Sequence, residues 1–131
     1  SFYDAPPKIN RVYRETVDAY NNDLPTLCAI GIRTVIEAAC SAEGIVGTNL
    51  KEKIEKLKTK GIITEKLHNG LQTSRLLGNI SAHESPSFDN TELIAGLELI
   101  ESMLDAHYNS DARELLLKNK LDRSNQQTQE D

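Results

Sequence analysis

The chain has 131 residues, of which 38% are hydrophobic and 27% charged, with a formal net charge of −5 and a pI of about 5.2. One hydrophobic core fits this length, and the composition is too rich in Leu, Ile and Ala for a disordered chain. The charge argues against a general nucleic-acid binder with a broad basic surface, though not against a small basic pocket. No apolar run approaches the ~20 residues of a spanning helix, and the N-terminus lacks a basic-then-apolar signal pattern. A cytoplasmic protein with no membrane partner is expected.

Residues 1–7 read as an extended lead-in, with Pro6 and Pro7 restricting the backbone just before a helix over 8–21. Ile9, Tyr13, Val17 and Tyr20 give that helix one apolar stripe. After the turn at Asp23, Pro25 fits the first turn of a second helix over 25–42, with Asp23 or Leu24 as its cap. Leu27, Ile30, Ile32, Val35 and Ile36, together with a set of alanines and cysteines, surround this helix almost completely. That pattern predicts a central position in a bundle. Cys28 and Cys40 lie about 18 Å apart along it, too far for a disulfide, and read as buried free thiols.

Asn49, three residues before Glu52, caps a third helix reaching about residue 59, with Leu50, Ile54 and Leu57 inward. Gly61 reads as its left-handed terminator. The pair Thr64-Glu65 begins a fourth helix extending to about residue 83, closed by Pro86. Asp89 or Asn90 caps the fifth and longest helix, whose stripe is Leu93, Leu97, Ile100, Leu104 and Tyr108. Residues 111–121, with Leu115, Leu116 and Leu117, read either as a short C-terminal helix on the bundle or as the start of a dimer contact. Residues 122–131 read as a polar, disordered tail. The expected fold is therefore all-α: one domain over 8–121, an up-and-down bundle of five main helices, with no sheet.

On the fourth helix Arg75, Asn79 and His83 follow at i, i+4 and i+8 and fall within about 80 degrees of one another, with Gln72 among them. Small or apolar residues flank the stripe on both sides, which suits a cleft or a subunit contact. Gly78 costs roughly 1 kcal/mol of helix propensity, a cost that close approach of a backbone or ligand would explain. Arg33 and Glu37, one turn apart on the second helix, are the nearest partners for each other. A satisfied polar network that registers helices accounts for all of these residues without chemistry. The functional alternative makes His83 an acid or base near neutral pH, with Arg75 holding a phosphate and Asn79 orienting it. His68 and His107 read as ordinary polar surface residues. The histidines and cysteines have no metal-ligand spacing, and no phosphate loop, dinucleotide fingerprint or HExxH is present, so neither metal nor cofactor is expected.

The segments VYRETVDAY, AIGIRTVIEAAC, LKEKIEKLKTKGIIT and SRLLGNISAHE resemble the helical domain of unknown function numbered 4145, which is placed near the HEPN superfamily. The resemblance covers about residues 6–108 and rests on Arg33-x-x-x-Glu37 and Arg75-x-x-Gly78-Asn79-x-x-Ala82-His83. It implies a HEPN-like bundle, a homodimer, and a role beside nuclease or restriction components in prokaryotic defence or nucleic-acid metabolism. Many HEPN relatives are metal-independent ribonucleases; on that pattern His83 matches the catalytic histidine and Asn79 the polar residue after the arginine. Gly78 stands where those nucleases carry the arginine, leaving Arg75 to act from one turn away. The leading expectation is thus a module binding a nucleotide, RNA, or a larger or fused protein partner through Arg33, Glu37, Gln72 and Gly78. The alternatives are a ribonuclease using His83, Arg75 and Asn79, and a structural dimerisation module.

Overall fold

A computed structural model describes residues 3–78 and 87–109. Among these, five α-helices follow one another: α1 (Pro7–Asn21), α2 (Pro25–Ala42), α3 (Leu50–Thr59), α4 (Glu65–Thr73) and α5 (Asn90–Leu104). A 3-10 turn (Arg75–Leu77) follows α4, and a π-helical turn (Asp105–Asn109) ends α5. The described residues contain no strand and no helix long and apolar enough to cross a membrane. The segments 111–121 and 122–131 lie outside the described residues.

The helix boundaries follow local chemistry. Pro7 and Pro25 occupy first turns, where a missing N–H costs nothing. The Asn49 side chain accepts the Glu52 N–H at 2.8 Å, and the Thr64 hydroxyl accepts the Leu67 N–H at 3.1 Å. At α5 the capping box is complete, with Asp89 accepting from the Glu92 N–H and Glu92 from the Asp89 N–H. The Glu52 carboxylate instead reaches back to the hydroxyl and N–H of Thr48, bonds that lower its pKa. Gly44 and Gly61, at φ 69° and 76°, end α2 and α3 in the same way. In each case the next amide, from Ile45 or Ile62, folds back onto the carbonyl of Cys40 or Leu57.

The core lies where α2 meets α5: Ile32, Val35 and Ile36 are fully buried, as are Ile100 and Leu104. Leu50, Ile54 and Leu57 of α3 and Leu71 of α4 close one side, and α1 covers another with Ile9, Thr16 and Ala19. Cys28 and Cys40 are buried free thiols, as expected, and burial pushes the Cys40 thiol up to about 11. Where α1 crosses α2, Gly31 faces Thr16 so closely that a Cβ there would overlap the threonine side chain.

Two expectations are corrected. The central position predicted for α2 holds for most of the helix but not for one edge of its first two turns, where Leu27 and Ile30 are 56% and 54% exposed beside the buried Cys28 and Ala29. The fourth helix does not continue to residue 83. It stops at Thr73; Ser74 turns extended at ψ 124°, and Gly78 is extended again at ψ 166°. Arg75 therefore lies beyond the end of α4, outside its helical period. The cause is tertiary: the break lets both Leu76 and Leu77 be buried, and Leu76 reaches Gly96 of α5 beside Ile32. Burying a leucine is worth about 1.5–3 kcal/mol, more than one further turn of exposed helix returns.

Candidate functional site

The residues singled out from the sequence separate into three places. Gln72, near the end of α4, turns toward α3, where its Nε2 donates to the Lys51 carbonyl at 2.9 Å and lies 3.5 Å from His68 Nε2. Arg33 of α2 donates through Nη1 to the Gly78 carbonyl at 2.8 Å, and no ion pair joins it to Glu37 among the described residues. The expected Arg33–Glu37 pair is thus replaced by a link from α2 to the chain after α4. Asn79 and His83 lie outside the described residues.

Arg75 carries the densest set of contacts. Its Nη1 donates to both Glu92 carboxylate oxygens, at 3.1 and 2.9 Å, and to the Ser87 carbonyl at 3.2 Å. Its guanidinium also sits 4.9 Å from the centre of the Phe88 ring. Glu92 is therefore shared, capping α5 through the Asp89 N–H while neutralising Arg75. Because the Gly78 N–H donates to the Arg75 carbonyl at 3.3 Å, both arginines converge on one short stretch of backbone. Arg33 holds the carbonyl just before residues 79–86, and Arg75 holds the carbonyl just after them.

This arrangement holds the carbonyls of Gly78 and Ser87, the described residues on either side of 79–86. It also changes what Arg75 can do. An arginine matched by a carboxylate brings less net positive charge to a phosphate. Among the described residues a Cβ at Gly78 would meet only the Arg75 carbonyl oxygen, at 3.6 Å, and its φ of −69° is open to any residue.

Both described histidines correct the surface reading. His68 is buried, with Nε2 2.5 Å from Glu55 on α3 and Nδ1 3.2 Å from the Asn69 side chain. His107, in the π-helical turn, pairs with Glu43 at 2.6 Å and meets the Tyr108 ring edge-on. The hydroxyl of Tyr108 is buried without a hydrogen-bond partner among the described residues, and burial, followed by the charge of Glu43, raises its pKa. The only sequence sign of His68 was its place beside Leu67 and Leu71 on a short amphipathic helix. Its glutamate partner, on another helix, left no local sign. Among the described residues no group of three or more His, Cys, Asp or Glu side chains is placed to hold a metal ion.

Fold and site together define an all-α bundle domain with a polar clamp between α2, the turn after α4, and the start of α5. The chain belongs to the DUF4145 family, a domain of unknown function whose model matches residues 14–127. No curated protein and no solved structure matches it.

Proposed function

We propose that this chain is a HEPN-like helical module that binds a protein partner without turning it over, and that residues 79–86, with Asn79 and His83, are its recognition element. The observation that carries this reading is the commitment of Arg75 to Glu92, the Ser87 carbonyl and Phe88. A metal-independent ribonuclease would need that guanidinium on the scissile phosphate beside His83. The net charge of −5 favours a protein over RNA for the same reason, since strand binding rests on unmatched Lys and Arg. HEPN-like character and a homodimeric state follow from the family resemblance, and a place in prokaryotic defence or nucleic-acid metabolism goes with them.

The test is incubation of end-labelled structured and single-stranded RNAs with the protein in EDTA, beside folded His83→Ala, with retention of the same RNAs measured at physiological salt. Neither cleavage nor retention is expected. Product formed by the native chain and lost in His83→Ala would establish the ribonuclease instead. Salt-sensitive retention without cleavage would move the ligand from protein to RNA. Light scattering over a concentration series tests the homodimer, for which a mass of twice 14.6 kDa is expected.

A further inference from the structure

A groove of about 420 Å³ runs between α1 and α2. Its floor is Thr16, Ala19 and Gly31, the small residues at the helix crossing, and one wall is Leu24, Leu27 and Ile30. These three are 46%, 56% and 54% exposed and follow one another at intervals of three, an apolar row along one edge of α2 and its cap. Single exposed apolar residues are ordinary, whereas a row of them beside a concave floor marks a contact surface. The opposite wall carries Glu15 and Asp18, one turn apart on α1 and both exposed. Among the described residues neither carboxylate enters an ion pair, and no Lys or Arg lines the groove.

We propose that this groove docks an amphipathic helix of a partner protein, one with an apolar stripe and a basic flank. The surface is built by α1, α2 and the turn between them, and is a contact additional to residues 79–86. A helix lying in a groove presents apolar side chains at i, i+3 or i+4, and i+7, which here would rest on Leu24, Leu27 and Ile30. From Val12 to Asn22 the groove follows α1 for about 15 Å, room for about ten residues of docked helix. With its stripe on the α2 wall, such a helix turns one flank to Glu15 and Asp18, where Lys or Arg side chains one turn apart would pair with both. Charge decides among the occupants. A second copy docked about a twofold axis would present the same patch, bringing Glu15 and Asp18 against an identical groove that has no cation lining it among the described residues. An acidic helix would meet like charge, on a chain whose net charge is already −5. A basic helix complements both walls at once.

The test uses two stapled helical peptides of about twelve residues, stapled because a free helix of that length is marginal in water. Both carry leucine at i, i+3 and i+7; one has lysine along a flank and the other has glutamate at the same positions. Binding to the full chain is read by fluorescence anisotropy at physiological salt. The lysine peptide is expected to bind about tenfold more tightly than the glutamate peptide, or better. Leu27→Ser with Ile30→Ser should weaken it by about tenfold or more, and Glu15→Lys with Asp18→Lys should reverse the preference between the peptides. All four side chains are exposed, and helical circular dichroism checks that the variants fold. No binding by the lysine peptide, equal binding of the two peptides, or an affinity unchanged by Leu27→Ser with Ile30→Ser would overturn the proposal. A native mass in light scattering that falls in Leu27→Ser with Ile30→Ser would also overturn it, by assigning the groove to a second copy. None of these outcomes touches the reading of residues 79–86, which the RNA assay decides by itself.

Discussion

The α1–α2 crossing and the junction between α4 and α5 hold the same bundle together by opposite means. At the crossing, two helices meet through small side chains, Gly31 against Thr16, and the contact is buried and close. At the junction, the chain leaves helix altogether and is fixed by charge and hydrogen bonds: Arg33 on Gly78, and Arg75 on Glu92 and Ser87. A close buried contact tolerates almost no added volume. An exposed polar contact tolerates substitution, because water replaces part of what is lost.

The largest effect is therefore expected at the crossing. Gly31→Ala would drive a methyl into Thr16, whose hydroxyl is tied to the Val12 carbonyl at 2.7 Å. Over-packing typically costs about 1–3 kcal/mol, and the better helix propensity of alanine returns about 1 kcal/mol. With the added Cβ overlapping the Thr16 hydroxyl the cost lies in the upper part of that range, so a net loss of about 1–2 kcal/mol in urea unfolding is expected, with Thr16→Ala in the same chain restoring part of it. Unchanged stability would mean that the helices do not meet this closely.

Tyr13 gives the next effect and a pH signature. Its hydroxyl donates to Glu101 at 2.9 Å, and burial first, then that hydrogen bond, raises the phenol well above its ordinary value of 10.0. Above pH 10 the unfolded chain loses the Tyr13 proton while the folded chain keeps it. The unfolded state then binds fewer protons, so stability falls as pH rises. Tyr13→Phe should cost about 1 kcal/mol at neutral pH and flatten the alkaline fall in stability. A mutant with the same alkaline slope as the native chain would show that Tyr13 does not cause it; Tyr108, also raised by burial, would be the next to replace.

These regions also differ in how far the sequence revealed them. The caps at Asn49, Thr64 and Asp89 and the terminator Gly61 are local signals, readable because partner residues lie within three or four positions. The end of α4 is not local. Nothing from Ser74 to Leu77 breaks a helix on propensity grounds; the break reflects the space for Leu76 between α2 and α5, which only the assembled bundle defines. The same limit hid the site. Arg75 and His83 were placed on one face by a helical period that the chain abandons at Ser74, whereas the partners of Arg75, Ser87 and Glu92, lie 12 and 17 residues away. The exposure of Leu27 and Ile30 was unreadable too, since an all-round apolar helix looks the same whether or not one edge is covered.

Arg75→Ala is expected to cost about 1 kcal/mol, because the side chain is 58% exposed and an exposed pair contributes at most about that much. The more telling comparison is a double-mutant cycle with Glu92→Gln. Glutamine keeps the acceptor of the capping box, so Glu92→Gln removes the charge alone and should cost no more than Arg75→Ala, and the coupling between them should be about 0.5–1 kcal/mol. A coupling of zero would show that the arginine holds Ser87 and Phe88 independently of the carboxylate.

The smallest effect is expected at Gly78, and it bears most directly on the site. Its helix cost in the sequence suggests a close approach by backbone or ligand, yet φ −69° and ψ 166° suit any residue and, among the described residues, a Cβ there meets only the Arg75 carbonyl oxygen, at ordinary contact distance. Arg33 contacts its carbonyl, which a methyl on the α-carbon leaves in place. Gly78→Ala should therefore leave stability unchanged or raise it by about 0.4–1 kcal/mol, since alanine gives the unfolded chain less freedom to lose. A loss above ~1 kcal/mol would place residues 79–86 directly over Gly78 and restore the close approach. An unchanged stability accompanied by lost partner binding would assign that approach to the ligand, and the glycine would then belong to the recognition surface rather than to the fold.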